Sequence, residues 1–326
     1  MTDKVQIIKR NIYNHDDSSK VFILSLLCPF ILSFFASYVA QMLADSWGIK
    51  LEQVKSNIWF DLVCTLLMVA VYVAIWWGYN KAKNISFSAI NFNTKMKWHT
   101  YLILPVISVV VILGFQYLPQ AFDFFLEGIG YPINDALGGV NPTDAGRYIY
   151  CIFTLAVVPA FVEELLFRGV IFNGLRERFS SVGAVLISAG LFALAHKNLQ
   201  QLIFQAIFGA ILAIVVLRTG SIFASMIVHF VNNFIVITMQ FVKNLTGFSL
   251  ELPNTWWFYL VAIGGAAVAF AICFIIDKFY FKHKTKTEIS PTKSNISKYF
   301  YIALLVGGIM YLLSVVMTVM FSSPAA

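Results

Sequence analysis

The sequence predicts an all-α fold, a polytopic transmembrane helix bundle of about 8–9 spans, from its composition, charge and hydropathy pattern. Of the 326 residues, 59% are hydrophobic and 12% are charged, and the mean hydropathy is +0.78. About a quarter of the residues in a soluble globular domain are charged, so the composition excludes a soluble globular protein. The net charge of +7 is typical of cytoplasmic loops in a membrane protein. The lipid bilayer is therefore the expected partner, and nucleic acid is not.

Nine apolar segments account for the helices of this bundle. The first follows a basic stretch but exceeds the apolar part of a signal peptide, which predicts an uncleaved span. The acidic stretch at 119–147 is rich in Gly and Pro and predicts turns rather than helix. The linker at 280–298 is basic, and the last two spans are expected to form an appendage. The nine segments are about 21–44, 57–78, 100–118, 148–173, 182–196, 199–217, 221–242, 256–279 and 299–321.

The distribution of Lys and Arg predicts the orientation in the cell membrane. With a cytoplasmic N-terminus, 17 of these residues fall on the cytoplasmic side and 5 on the other, while Arg168 lies inside a span. Positively charged loops of membrane proteins face the cytoplasm. We therefore expect a multi-pass protein with its N-terminus cytoplasmic, and with its C-terminus and acidic loop extracytoplasmic.

Three charged residues lie inside the fourth apolar segment, where a charge is costly unless it is paired or used in chemistry. Glu164 and Arg168 are spaced i, i+4 on one helix face, in the favourable order, and predict a structural ion pair. Glu163 points about 100° away from Glu164 and has no local partner. A carboxylate in a dry site without a countercharge holds a proton more tightly than in water, as a general base near neutral pH must.

Two later segments add His196, and then His229 and Asn233 one helical turn apart. A rise of about 1.5 Å per residue from the span ends places these side chains and Glu163 at similar depth, near the midplane. Glu163 and His196 would polarise a water for attack on a carbonyl, and His229 and Asn233 would hold the developing oxyanion. These four residues predict a catalytic site in the membrane core.

Zinc is the alternative to a metal-free glutamate base. Glu163, His196 and His229 form a plausible catalytic ligand set. The HExxH pattern is absent and the ligands would come from three helices, so we expect neither a metal nor another cofactor. Phe192, one turn before His196, is expected to pack rather than to bind substrate, and Asn232 is expected to face away from the site.

In their order, these motifs resemble the CAAX prenyl protease and bacteriocin-processing family of intramembrane endopeptidases, in its lysostaphin-resistance-protein-A-like branch. The family pattern EExxxR, FxxxH and HxxxN stands here as Glu163-Glu164-Leu-Leu-Phe-Arg168, Phe192-Ala-Leu-Ala-His196 and His229-Phe-Val-Asn-Asn233. The resemblance covers about residues 148–240. It implies an endopeptidase in which Glu163 and His196 activate water and His229 and Asn233 bind the oxyanion.

The chain is expected to divide into three parts. These are N-terminal transmembrane helices with the acidic extracytoplasmic loop (1–147), a CAAX-protease-like catalytic core (148–242) and C-terminal transmembrane helices (243–326). A peptide or membrane-protein substrate is the expected partner. Because Arg168 lies near the cytoplasmic end of its span, the site is expected to open to that side or laterally from that leaflet.

Two other functions compete with the protease. One is a non-catalytic scaffold or regulator of the same fold, for bacteriocin immunity or cell-envelope regulation. The other is a transporter with Glu163 and the histidines as a proton relay. The lack of an internal repeat argues against a transporter, and the intact motifs favour an enzyme over a scaffold.

Overall fold

The computed structural model describes residues 13–92, 96–133, 141–281 and 295–321. The regular structure in these ranges is entirely helical and confirms the all-α bundle. Some sequence predictions lie outside the described residues: the basic N-terminal stretch at 1–12, the part of the acidic loop around Asp135, and most of the basic linker, at 282–294.

The α-helices follow one another with short connections, and 3₁₀ or π turns extend some of them. In chain order they are α1 (His15–Trp47), α2 (Leu51–Lys55), α3 (Ile58–Lys83), α4 (Trp98–Phe115), α5 (Tyr117–Gly128), α6 (Ala145–Cys151), α7 (Val158–Leu166), α8 (Asn173–Arg178), α9 (Ser181–Ala195), α10 (Leu202–Thr219), α11 (Ile222–Thr246), α12 (Trp256–Ile276) and α13 (Lys298–Phe321).

Eight helical stretches of the described chain are long and apolar enough to cross a membrane, which makes this a multi-pass membrane protein. The remaining predicted span, the fifth at 182–196, corresponds to α9, which has 15 residues. At about 1.5 Å per residue it reaches about 22 Å, which is less than the hydrocarbon core of about 30 Å. The side on which each terminus lies depends on how α9 crosses, so the orientation stays a prediction.

The stretch that begins the acidic loop is helical, and the prediction of turns is wrong for α5. Its apolar residues Leu118, Phe122, Phe125 and Leu126 recur at helical spacing and give one apolar face. Pro119 lies in the first turn of this helix, where its missing N–H costs nothing. The ring of Phe124 packs edge-on against Phe258 of α12 at 5.3 Å, which anchors the helix to the bundle.

One large hydrophobic cluster runs through the bundle from α1 to α13. α9 packs along α10, α4 along α11 and α12, and α1 along α3 and α13. The α4–α12 contact needs a glycine, because a Cβ on Gly114 would lie 2.1 Å from the Cβ of Ala269. Small residues of this kind let membrane helices approach closely. The core therefore draws on all three predicted parts of the chain, and their division stays a prediction.

Candidate active site in the membrane bundle

Both glutamates of the fourth span lie on α7, between two π-helical turns. The turns are Ile152–Val157 and Phe167–Phe172, and together with α6, α7 and α8 they form one continuous helix. Pro159 lies in the first turn of α7 and has no N–H, so the carbonyl of Leu155 loses its usual helical donor. π turns inside α-helices are frequent at functional sites.

Glu163 and Glu164 lie in different environments although they are neighbours. The side chain of Glu164 is 0% exposed, whereas that of Glu163 is 25% exposed and lines a cavity. This divergence follows from the rotation of about 100° per residue along a helix. Of the two carboxylates, Glu163 is the one placed to meet a substrate or a water.

Glu164 is the central acceptor of a buried network. Its Oε1 accepts hydrogen bonds from Nη1 of Arg168 at 2.8 Å and from Nδ1 of His229 at 3.0 Å. Nη2 of Arg168 donates to the carbonyl of Gly209 at 3.1 Å. The expected contact between Glu164 and Arg168 is therefore present. The carboxylate of Glu164 also orients the ring of His229, and the sequence does not indicate this second contact.

Phe192 lies beneath this network and is fully buried. Its ring is 4.4 Å from the guanidinium carbon of Arg168 and 4.7 Å from the ring of His196. A Cβ on Gly209 would lie 3.1 Å from this ring, so a glycine lets α10 approach α9 closely. Phe192 thus has the surroundings of a packing residue and does not line the cavity.

His196 is the residue at which α9 ends, and this fixes the orientation of its ring. Its backbone N–H bonds to the carbonyl of Ala193, and Nδ1 of its ring lies 2.8 Å from the carbonyl of Phe192. A carbonyl only accepts, so Nδ1 carries the proton and Nε2 of the neutral ring is an acceptor. Lys197 follows with a φ of 50°, the left-handed conformation that turns the chain after a helix.

The turn after His196 is held by α13. The hydroxyl of Ser314 donates to the carbonyl of Lys197, and that of Tyr311 donates to the carbonyl of Asn198 at 3.4 Å. α13 also packs against α1 and α9. The expected appendage is therefore in direct contact with the segment that carries His196, and nothing in the sequence pattern indicates this contact.

Two adjacent amides on α11 complete the site. Nδ2 of Asn233 donates to the carbonyl of Leu155 at 2.9 Å, the carbonyl that Pro159 leaves without a helical donor. Nδ2 of Asn232 donates to Oδ1 of Asn233 at 3.2 Å. Asn232 is 2% exposed and lines the cavity, so the prediction that it faces away is wrong. Its i, i+3 spacing from His229 is the sequence signal for this position, since it puts both residues on one helix face.

The four predicted catalytic side chains line one cavity of about 670 Å³. This volume is in the range of about 300–1,000 Å³ that is usual for ligand sites. They come from three helical segments, as the motifs predict, and are Glu163, His196, His229 and Asn233.

The cavity extends from Glu163 along α5 and α11 to Lys243 and Glu251. Among the described residues, its lining does not include the end of the bundle that holds Arg176 and Arg218, so this cavity does not provide the expected opening at that end. The physical reason is packing. On that side of Glu163 the side chains of its helix, Arg168 among them, are fully buried and fill the space between the helices.

The side chains of the site do not assemble a zinc centre. Among the described residues, no three His, Cys, Asp or Glu side chains converge to hold a metal ion. Nδ1 of His229 bonds to Glu164, and its Nε2 lies 3.9 Å from Oε2 of Glu163. These side chains therefore do not form a group of three metal ligands among the described residues, and independence from zinc stays a prediction.

In comparisons with known proteins, the part of the chain that matches is the part that contributes the motif residues to the cavity. Residues 145–235 match the family described as Type II CAAX prenyl endopeptidase Rce1-like. A relative is YdiL of Bacillus subtilis (strain 168), a protein named as a membrane peptidase, which is 26% identical over 130 residues. The aligned region is 40% of this chain and 52% of the relative, so it spans about half of that protein. No solved structure matches the chain.

The matched segment contains all six polar motif residues and the whole of the helix that carries Glu163. It also contains both histidines that line the cavity. Residues 145–235 of this polytopic membrane protein are therefore similar to the Rce1-like family of type II CAAX prenyl endopeptidases.

Proposed function

We propose that the protein is an intramembrane endopeptidase of the glutamate type, which hydrolyses a peptide bond of a membrane-associated protein or peptide. The observation that carries this proposal is the single cavity lined by Glu163, His196, His229 and Asn233. Oε2 of Glu163 is buried and has no hydrogen-bond partner among the described residues. A general base must be within reach of a water, and the side chain of Glu163 is 25% exposed and lines the cavity.

Glu163 and His196 act together on one water in this proposal. The carboxylate of Glu163 and Nε2 of His196 are both acceptors, so one water donates a hydrogen to each. Its lone pair then faces the carbonyl carbon of the substrate. As the new C–O bond forms, the proton of the water passes to Glu163.

Asn233 and His229 hold the oxyanion that forms at the substrate carbonyl. The amide of Asn233 has a second N–H besides the one bonded to Leu155. The Nδ1 proton of His229 is committed to Glu164, so His229 donates from Nε2 and must be protonated there. The C–N bond then breaks, and the proton on Glu163 passes to the leaving amine. The second proton of the water stays on the new carboxyl group, so the products are a carboxylic acid and an amine.

The charges of the buried groups are consistent with this assignment. Glu164 and Arg168 are ion-paired at 2.8 Å and cancel each other. A protonated His229 then balances an ionised Glu163, whose Oε2 is 3.9 Å from Nε2 of the ring. The remaining tasks are structural: the Glu164–Arg168 pair holds the ring of His229, and Phe192 packs beneath it.

The proposal extends to the whole chain. The catalytic core is residues 148–242, flanked by transmembrane helices in 1–147 and 243–326. With the N-terminus cytoplasmic and the C-terminus extracytoplasmic, the cavity opens toward the extracytoplasmic end, where Lys243 lies. A peptide would enter from that side or from that leaflet.

The function is tested by finding the substrate. Membranes of cells that make the wild type are compared by mass spectrometry with membranes of cells that make equal amounts of Glu163→Gln. We expect new peptide termini with the wild type alone, because the variant lacks the base. Identical peptides, together with one phenotype shared by both proteins and lost without them, would support the scaffold instead.

Zinc is expected to be dispensable for this activity. The purified protein should contain less than stoichiometric zinc by elemental analysis and keep its peptidase rate after chelation. The reason is that Glu163, His196 and His229 do not converge on one point. Activity that disappears on chelation and returns with added zinc would decide for the metal.

A further inference from the structure

The amides of Asn232 and Asn233 have one consistent orientation, set by the backbone. The carbonyl of Leu155 accepts a hydrogen bond from Asn233, so the NH₂ group of Asn233 must face it. Oδ1 of Asn233 then faces Asn232, which must present its own NH₂ group, at 3.2 Å. Amide orientations are assigned from such networks, and a carbonyl at one end fixes the whole chain of bonds.

This chain of bonds ends on an acceptor without a donor. Oδ1 of Asn232 is buried and has no hydrogen-bond partner among the described residues, although the residue is only 2% exposed and lines the cavity. A buried acceptor left without a donor destabilises a protein, so such an atom calls for an explanation. The proposed hydrolysis does not use Asn232, and packing does not require an amide at this position.

We propose that Oδ1 of Asn232 receives a backbone N–H of the substrate, next to the scissile carbonyl. The inference rests on the proposed function, in which the neighbouring Asn233 holds the oxyanion. A peptide presents an N–H beside the carbonyl that is attacked, whatever its sequence. Asn232 thus sets the register of an extended chain, and the cavity takes an unpaired peptide backbone rather than a lone amide or ester.

The contact is tested by replacing backbone N–H groups with ester oxygens. Wild-type protein in liposomes is given an equimolar pool of synthetic tetradecapeptides, and cleaved sequences are identified by mass spectrometry. One cleaved sequence is then made as a series in which each N–H other than the scissile one is replaced in turn by oxygen. We expect one position beside the scissile bond to lose about 10- to 100-fold in kcat/KM, mostly through KM.

The same series is then measured with Asn232→Ala and with the isosteric Asn232→Leu, in case the first variant does not fold. Both should cleave the all-amide peptide more slowly, and the ester at the sensitive position should bring no further loss. If the Asn232 substitutions act only by disturbing Asn233, they will slow cleavage of the amide and ester peptides by the same factor. The ester at the sensitive position will then still be cleaved more slowly than the all-amide peptide. Gln116→Ala, an amide removed from another wall of the cavity, should keep the wild-type pattern.

Two results would overturn the inference while sparing the proposed function. One is a wild type that cleaves every ester at the rate of the amide. The other is a position-specific loss that persists unchanged in the Asn232 variant that folds. A folded wild type that cleaves nothing in the pool would remove the proposed function and this inference together.

Discussion

Replacing Glu163 by glutamine is expected to lower the rate of peptide hydrolysis by about 10²–10⁴-fold, the usual contribution of a general base. The substitution keeps the size of the side chain but removes the group that takes the proton from water. Since this side chain is 25% exposed in a cavity, the fold should tolerate the change. The measurement is kcat on an identified substrate, together with the melting temperature of the purified protein.

A matched control is available on α5. Glu127→Gln makes the same chemical change at an exposed residue that does not line the cavity, and it should leave both the rate and the melting temperature unchanged. Glu163→Asp should keep part of the activity, because the base remains but is shorter. A Glu163→Gln protein that hydrolyses peptide at the wild-type rate would contradict the glutamate mechanism.

Replacing Arg168 by alanine is expected to destabilise the folded protein by about 3–5 kcal/mol, because a buried carboxylate loses its partner. Arg168 and Glu164 are both 0% exposed and 2.8 Å apart. The substitution also removes the donor to the carbonyl of Gly209. Thermal unfolding in detergent and the yield of folded protein both report this loss.

The control for this prediction is the ion pair between Arg218 and Asp277, whose side chains are 35% and 28% exposed. Breaking an ion pair that water reaches costs about 1 kcal/mol or less, so Arg218→Ala should change stability little. Arg168→Lys should be intermediate, because an ammonium keeps the charge without the planar fork. If Arg168→Ala is as stable as the wild type but inactive, Arg168 takes part in the chemistry.

The fold and the four lining residues were predictable because each depends on a local rule. Hydropathy locates spans, and i, i+4 spacing places Glu164 beside Arg168 on one helix face. The same rule at i, i+3 could have found Asn232. The helical start of the acidic loop was also readable from the spacing of Phe122, Phe125 and Leu126.

Other features depend on how distant segments meet, which no local pattern encodes. The bond from His229 to Glu164 joins residues 65 positions apart. The direction in which the cavity opens is decided by which end of the bundle is filled by side chains, and that is a property of packing. The hydrogen bond from Asn233 to the carbonyl of Leu155 forms because the π turn before Pro159 lies beside α11. The sequence does not show that these two segments are neighbours.

The hydroxyl of Ser314 that holds the carbonyl of Lys197 is synthesised 117 residues after that carbonyl. While the chain is being inserted, Glu163 and both histidines therefore enter the bilayer well before α13 arrives beside them. A chain halted before α13 therefore lacks the hydrogen bonds from Ser314 and Tyr311 that hold the turn after His196. The order of translation thus makes α13 the last contributor to the surroundings of His196.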